Sequence, residues 1–234
     1  MLILFDIDMT LLETDHIGID CLRHAGRTLF SPDFTIEGIV FGGALDPVII
    51  AEMLEMNNIE PTEEHIETMR NGYREHLESL SKVQTVARPL PGAHDLVFAT
   101  ASHPLKPTMG LLTGNYPETG AIKLRAAGFD PNLFIINAWG DSSPIKPPRR
   151  SHLPPVAIES YSALKSAEID PQSVLIIGDT VHDVSCAKDT GCRALAVATG
   201  HASFDELVAS GADHTLNDLT DTEGIIEWIM TEHH

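Results

Sequence analysis

Two aspartates directly follow an apolar stretch at the start of the chain. Met1 to Phe5 are typical of a short buried strand, and Asp6 and Asp8 come immediately after it. A carboxylate beside a core strand is unfavourable by several kcal/mol unless it is paired, protonated or bound to a metal. The two acids therefore indicate a chemical task at the end of this strand.

Polar side chains also end two later apolar stretches. One is Leu111 to Asn115, and the other is Ile176 to Asp183. The carboxyl ends of parallel strands meet at one edge of a sheet, and ligands bind there in open α/β folds. We therefore expect the following side chains to converge: Asp6, Asp8, Thr113, Asp179 and Asp183.

The types of these side chains indicate phosphoryl chemistry. Four clustered carboxylates repel one another, and a set of oxygen ligands suits a hard cation such as Mg²⁺. The Thr113 hydroxyl and the backbone N–H groups of Thr113, Gly114 and Asn115 lie at a strand-to-helix turn, which favours an anion such as phosphate. A cation site beside an anion site predicts an enzyme that acts on phosphate groups.

The elements that must position these residues follow an alternating pattern. Strands are predicted at residues 1–5, 108–113, 133–138, 173–178, 193–199 and 213–216. Helices are predicted between and after them at residues 91–100, 118–129, 154–167, 181–191, 203–210 and 222–231. This pattern predicts an α/β fold in which helices cover both faces of a parallel sheet.

Residues 14–86 interrupt the alternation. Three helix-like segments, residues 14–30, 46–56 and 62–80, follow one another without a convincing strand. Asp46 before Pro47 and Thr62 before two glutamates predict helix starts. Because about 70 residues without a strand is too long for a simple crossover, we predict a helical insert at 14–86 and a core domain of residues 1–13 and 87–234.

Charge and residue usage restrict the partners. The 234 residues include 15 basic and 34 acidic side chains, a net charge of -19 that disfavours nucleic acid and anionic membranes as partners. No run of about 18 apolar residues occurs, so we expect a cytoplasmic protein. Cys21, Cys186 and Cys192 are predicted to be buried thiols, and His233 and His234 are interpreted as the remnant of a purification tag. The oligomeric state cannot be predicted from these features.

Together these stretches resemble the motifs of the haloacid dehalogenase-like hydrolases. The first motif is similar to Asp6-x-Asp8-x-Thr10, the second to Thr113, and the fourth to Gly178-Asp179-x-x-x-Asp183. The resemblance covers nearly the whole chain and includes the insert, which is similar to the helical C1 cap of phosphoglycolate phosphatase-like members. It implies a Rossmann-like doubly wound sheet with an inserted C1 cap.

The resemblance also implies roles for these residues. Asp6 would be the nucleophile that forms an aspartyl phosphate, and Asp8 the general acid and then base. Asp6, the backbone carbonyl of Asp8 and Asp179 would ligate Mg²⁺, with Asp183 acting directly or through water. The expected substrate is a small phosphorylated metabolite. Position 9 is Met, where many relatives have Gly.

The third motif of the family usually offers a lysine, and the best-matching place in this chain has none. Arg150, just before the helix at residues 154–167, is our choice for the phosphate-binding cation, since arginine can hold phosphate in a bidentate fork. Lys146 and Arg149 remain candidates.

The residues bear on four functions other than a phosphatase. A dehalogenase needs no acid at position 8, because a halide leaves without a proton, and phosphonate hydrolysis needs an insert lysine that Lys82 is badly placed to supply. A phosphosugar mutase and a catalytically silent binding protein stay open as alternatives. The insert would select the substrate, with the loop of residues 41–46 and the side chains Arg23, His24 and Arg27 facing either the site or water.

Overall fold

The structure is a computed structural model that describes residues 1–231. The interpretation of His233 and His234 as a tag remnant lies outside these residues. No helix within the described part of the chain is long and apolar enough to cross a membrane.

A parallel six-stranded sheet lies at the centre of the molecule. With strands numbered in chain order, its order is β5-β4-β1-β6-β7-β8. The strands are β1 (Leu2–Phe5), β4 (Thr108–Leu112), β5 (Ile136–Ala138), β6 (Val174–Gly178), β7 (Arg193–Val197) and β8 (His214–Leu216). The predicted α/β fold class is confirmed.

The register of the central strands aligns their carboxyl ends. Phe5 of β1 lies opposite Leu111 of β4 on one side and Ile177 of β6 on the other. The residues that follow these strands therefore meet at one edge of the sheet.

Neighbouring side chains along a strand alternate between the two faces of the sheet. Because all four residues of β1 are apolar, this strand contributes apolar side chains to both faces. Ile3 and Phe5 pack into one buried cluster, and Leu2 and Leu4 into the other. The helices of this part of the chain are α4 (Ala93–Ser102), α5 (Pro117–Ala126), α6 (Leu153–Lys165), α7 (Val181–Asp189), α8 (Phe204–Ala209) and α9 (Thr222–Thr231).

Three helices lie within residues 14–86, as the sequence predicted. They are α1 (Ile17–Leu29), α2 (Asp46–Met56) and α3 (Glu63–Ser81), and they share a third buried cluster. The Thr62 hydroxyl caps α3 by accepting a hydrogen bond from the His65 N–H. In contrast, Asp46 does not cap α2, because its carboxylate accepts a hydrogen bond from the backbone N–H of Tyr116 instead.

Two local features differ from the sequence prediction. The short strands β2 (Leu12–Glu13) and β3 (Arg88–Pro89) form an antiparallel pair at the ends of the helical segment, and two residues are too few to give a strand pattern. Strand β5 begins at Ile136 rather than 133, because Pro131–Leu133 form a 3₁₀ turn capped by the Asp130 side chain.

Gly110 provides a test of the packing between β4 and β5. A Cβ atom at this position would lie 2.0 Å from the Ile136 carbonyl oxygen, a contact that only a backbone shift could relieve. We expect Gly110→Ala to lower the free energy of unfolding by about 3 kcal/mol in a denaturant titration. Gly42→Ala, where an added Cβ meets nothing within 4 Å, is the matched control and should stay near wild type. Equal stability of the two variants would contradict this packing.

Candidate active site

Three carboxylates meet at the carboxyl edge of the sheet. Asp6 follows β1, Asp179 follows β6, and Asp183 lies in the first turn of α7. All three are buried, and one oxygen from each lies within 4.8 Å of the others. The Asp8 side chain, the fourth acid of the prediction, is not one of these three and pairs with Lys123 instead.

Burial is the largest effect on the acidity of this cluster. It raises the pKa of Asp6 from 3.8 to about 6, although the Arg150 guanidinium opposes the shift. Burial first, and then the neighbouring charges of Asp183 and Asp6, raise the pKa of Asp179 to about 8. Asp6 and Asp179 therefore hold protons more tightly than ordinary aspartates.

Arg150 supplies the positive charge of the cluster. Its Nη2 atom lies 3.1 Å from Asp6 Oδ2 and 2.5 Å from Asp183 Oδ1, and the residue is only 8% exposed. Burial alone would lower the pKa of Arg150, but the two carboxylates outweigh it and raise that pKa. Among residues 1–231 the structure gives no acceptor for the buried Arg150 Nε–H group.

The other two candidates for the third motif lie differently. Arg149 is exposed, and Lys146 is exposed and paired with Glu63 at 2.9 Å. Arg150 begins a 3₁₀ turn, Arg150–His152, that leads directly into α6. Of the three cations, the structure brings Arg150 to Asp6.

Asp183 is fixed by the turn that contains it. Its Oδ2 atom accepts hydrogen bonds from the Thr180 backbone N–H at 3.1 Å and the Thr180 hydroxyl at 2.6 Å, and Thr180 in turn caps α7. Its Oδ1 atom faces Arg150. Both oxygens have partners, so this carboxylate is held rigidly at the edge of the cluster.

Asp8 lies in a separate network on the same edge. The Asn115 side-chain amide donates to Asp8 Oδ2 at 2.6 Å and to the Thr113 hydroxyl at 2.9 Å. The Lys123 ammonium lies 2.9 Å from both oxygens of Asp8. Burial would lower the pKa of Lys123, but the attraction of Asp8 outweighs it and raises that pKa.

Lys123 was missed by the sequence analysis. It belongs to α5, where its neighbours Ile122 and Leu124 made it look like part of an ordinary amphipathic helix. A signal was present, because a single lysine between apolar residues in the helix directly after Thr113 is placed to face inward.

The predicted anion site at the end of β4 has fewer free N–H donors than expected. The Thr113 N–H donates to the Ala138 carbonyl at 3.1 Å, and the Asn115 N–H faces the Thr113 hydroxyl oxygen at 3.4 Å. Both groups are therefore already in use. The Thr113 hydroxyl accepts from Asn115 and keeps its own proton for a ligand, and the Gly114 N–H has no protein acceptor within residues 1–231.

The loop of residues 41–46 reaches this edge from the helical segment. The Gly43 carbonyl lies 3.5 Å from Arg150 Nη1, and the Gly114 carbonyl accepts a hydrogen bond from the Asp46 N–H at 2.8 Å. The basic residues of α1 make their contacts elsewhere: Arg23 pairs with Asp20, Arg27 donates to the Phe34 carbonyl, and His24 stacks on His76.

Two further residues shape the turn after β1. Met9 has a φ of 59°, the left-handed conformation that favours glycine, and its carbonyl accepts a hydrogen bond from the Thr199 hydroxyl at 2.5 Å. The Thr10 hydroxyl donates to Asp179 Oδ1 at 3.3 Å. Methionine at position 9 thus keeps the turn that would suit a glycine.

The donor set of the carboxylate cluster suits a hard cation. Asp6, Asp179 and Asp183 offer oxygen atoms only, and Mg²⁺ prefers a few carboxylates together with water. No thiol or imidazole belongs to the cluster; the thiols of Cys21, Cys186 and Cys192 are buried, as predicted. The residues therefore fit Mg²⁺.

A family model described as haloacid dehalogenase-like hydrolase matches residues 3–197. The chain belongs to the haloacid dehalogenase-like hydrolases. It is 24% identical over 225 residues to the pyrophosphatase PpaX of Anoxybacillus flavithermus, covering 96% of this chain and 95% of that protein. The predicted family is confirmed, and with it the prediction that the chain is an enzyme.

Two other relatives differ from PpaX in the activity that they are named for. A phosphoglycolate phosphatase from Chromobacterium violaceum is 29% identical over 149 residues, which is 64% of this chain and 59% of that protein. A β-phosphoglucomutase from Clostridium difficile has the same fold, with a TM-score of 0.68, 16% identity, and coverage of 97% of this chain and 96% of that chain.

The carboxylate cluster predicts a pH-dependent response to Mg²⁺. The folded-state pKa values of Asp6 and Asp179, about 6 and about 8, exceed the ordinary value of 3.8, so the folded metal-free protein binds protons that the unfolded chain releases. Between roughly pH 4 and pH 8 these two groups therefore make the metal-free protein less stable as pH rises. Mg²⁺ displaces the protons, so its stabilisation should grow from pH 6 to pH 8 and reach about 2.7 kcal/mol at a hundredfold excess over Kd.

Melting temperatures with chelator and with Mg²⁺, at pH 6 and at pH 8, measure this effect. Asp179→Asn should lose most of the Mg²⁺ response, whereas Asp205→Asn, an exposed acid on α8, should keep it. A Mg²⁺ response that is absent, or that shrinks as pH rises, would contradict the site.

Proposed function

We propose that this enzyme is a Mg²⁺-dependent phosphatase that hydrolyses a small phosphate monoester through an aspartyl phosphate on Asp6. The observation that carries the proposal is the position of Arg150, whose guanidinium bridges Asp6 and Asp183 inside the carboxylate cluster. A buried cation beside a buried nucleophile is what a transferred phosphoryl group needs, since its charge lies on the equatorial oxygens.

Asp6 is the proposed nucleophile. One of its carboxylate oxygens attacks phosphorus, the bond to the leaving oxygen breaks, and water later hydrolyses the acyl phosphate to release inorganic phosphate. Arg150 holds Asp6 on one side, and its unpaired Nε–H group supports a role in binding a phosphate oxygen. The Thr113 hydroxyl is the second proposed phosphate donor, with Gly114 and Asn115 shaping its turn.

Asp8 is the proposed general acid and base. It gives a proton to the leaving oxygen in the first step and takes one from the attacking water in the second. This second acid favours a phosphatase over a dehalogenase, because an alkoxide leaving group needs a proton and a halide does not.

Asp6, Asp179, Asp183 and the backbone carbonyl of Asp8 are the proposed metal ligands. When bound, Mg²⁺ would supply positive charge that stabilises the phosphoryl group and offsets the repulsion between carboxylates. The Arg150 contact with Asp183 already neutralises part of this charge, which supports a role for Asp183 through water or through orientation of Arg150.

Residues 14–86 are proposed to form a cap over the site. The contact between Gly43 and Arg150 supports this division, because it brings the loop of residues 41–46 to the proposed phosphate site. A covered site suits a small phosphorylated metabolite, and the net charge of -19 disfavours nucleic acid and anionic membranes. A cytoplasmic location remains a prediction.

A phosphosugar mutase is the second candidate, because β-phosphoglucomutase shares the fold over most of both chains. In a mutase the phosphoryl group on Asp6 returns to a sugar instead of water. The products separate the two candidates, since a hydrolase releases inorganic phosphate and a mutase yields an isomeric sugar phosphate.

The proposed function predicts metal-dependent phosphate release. A panel of small phosphorylated metabolites, assayed with Mg²⁺ for inorganic phosphate and for isomerised sugar phosphate, should identify at least one hydrolysed substrate. Chelator should stop turnover, and Asp6→Asn should abolish both turnover and the phosphoenzyme because no nucleophile remains. No phosphate release with any monoester would favour the binding protein, and an isomerised product would favour the mutase.

The proposed role of Arg150 predicts that its substitution lowers kcat/KM far more than substitution of Arg149 or Lys146. Arg150→Ala should lower kcat/KM about 100- to 1,000-fold, or about 3 to 4 kcal/mol of transition-state stabilisation, because it removes the buried cation. Arg150→Lys should recover part of this loss as a point charge. Arg149→Ala is the control and should stay within a few-fold of wild type, since its side chain is exposed. A large loss in Arg149→Ala or Lys146→Ala, with Arg150→Ala near normal, would move the role to that residue.

A further inference from the structure

Lys123 is a buried lysine at the active edge, and its ammonium group donates hydrogen bonds to two residues, Asp8 and Asn115. Its side chain is 7% exposed, and its ammonium nitrogen lies 2.9 Å from each oxygen of Asp8 and 2.6 Å from the side-chain oxygen of Asn115. An ammonium group has three N–H donors, and these three contacts use all of them. Lys123 is therefore placed to hold a side chain of the enzyme rather than a ligand.

Asn115 completes the arrangement around Asp8. Its amide nitrogen donates to Asp8 at 2.6 Å, while its amide oxygen accepts from Lys123. The amide nitrogen also donates to the Thr113 hydroxyl at 2.9 Å, which fixes the amide plane. Two residues thus hold the Asp8 carboxylate, Asn115 after the end of β4 and Lys123 on α5. Both are more than 100 residues away from Asp8 in sequence.

The helical segment covers this lysine. A Cβ atom added to Gly18 of α1 would lie 3.7 Å from the ammonium nitrogen of Lys123 and 3.3 Å from the hydroxyl oxygen of Tyr73 of α3. Tyr73 is 1% exposed and Lys123 is 5% exposed. The contact between Lys123 and Asp8 is therefore largely shielded from water on the Lys123 side, where an ion pair is stronger than at the surface.

We propose that Lys123 is a positioning residue that fixes the Asp8 carboxylate for proton transfer. The proposal rests on the proposed function, in which Asp8 gives a proton in the first step and takes one in the second. Both steps need the carboxylate at the same place beside the leaving or attacking oxygen, and a displacement of about 1 Å is enough to slow such a reaction about 100-fold. Lys123 and Asn115 set that place.

A double-mutant cycle with Asp8 tests the positioning role. Lys123→Met keeps the length of the side chain and removes its charge. It should lower kcat/KM about 100-fold for an alkyl phosphate such as glycerol phosphate, but less than about 5-fold for p-nitrophenyl phosphate, whose leaving group needs little protonation. In an Asp8→Asn background, Lys123→Met should change the residual glycerol phosphate rate less than about 3-fold, since its effect passes through Asp8.

Arg125→Met is the matched control, because Arg125 lies two residues along α5 and is exposed. It should leave both rates near wild type. Equal losses with both substrates in Lys123→Met, or losses that multiply with those of Asp8→Asn, would show that Lys123 acts on the fold or the substrate and would overturn the proposal.

Thermal unfolding tests the same contact without any turnover. Lys123→Met leaves the Asp8 carboxylate without its cation and should lower Tm by roughly 5 to 10 °C. In the Asp8→Asn background the same change should lower Tm little or raise it, because there the lysine is the unpaired charge. An equal loss in both backgrounds would overturn the proposal. If the wild type turns over no phosphate ester, the proposed function fails, and this cycle alone decides whether Lys123 holds Asp8.

Discussion

The active edge of this enzyme depends on the neutralisation of buried negative charge. Parallel strands bring Asp6, Asp179 and Asp183 together where water is scarce, and each raises the energy of the others. One guanidinium, that of Arg150, offsets this repulsion from within the protein. Arginine suits the position because its planar fork can face two carboxylates at once and still offer a further N–H group to a ligand.

Asp8 pairs with a different cation from the one in this cluster. Lys123 faces Asp8 from α5, whereas Arg150 faces Asp6 and Asp183 from the turn before α6. Two acids that are only two residues apart in sequence therefore lie in two electrostatic environments. In the proposed mechanism, this difference allows one carboxylate to serve as the nucleophile while the other moves protons.

The helical segment contacts the rest of the chain through both apolar and polar groups, and Leu45 shares a buried cluster with Leu112 of β4. Arg70 of α3 forms a bidentate pair with Glu118 of α5, at 2.5 and 2.9 Å, and stacks over the Tyr116 ring at 4.1 Å from its centre. Asp46 accepts a hydrogen bond from the Tyr116 N–H.

Relatives of this chain share its fold and are named for different activities, a pyrophosphatase, a phosphoglycolate phosphatase and a β-phosphoglucomutase. The carboxylate cluster belongs to the sheet, whereas residues 14–86 lie above it and contact it through Gly43 and Asp46. The fold alone therefore does not identify the substrate.

The sequence by itself determined the α/β fold, most helix and strand positions, and the convergence of Asp6, Asp179 and Asp183. It could do so because apolar periodicity defines the strands, and parallel strands bring their carboxyl ends to one edge. Two local features could not be predicted from the sequence. The Asp130 side chain caps a 3₁₀ turn where β5 was expected to begin, and β2 and β3 are too short to give a strand pattern.

Only the tertiary structure decided how the charges are paired. The sequence favoured Arg150 and left Lys146 and Arg149 as candidates, and the turn before α6 buries Arg150 beside Asp6 while the other two remain exposed. It gave no partner for Asp8, because Lys123 lies 115 residues away and its contact requires α5 to pack beside β1. Such pairings depend on distances in space between residues far apart in the chain, and periodicity along the chain carries no information about them.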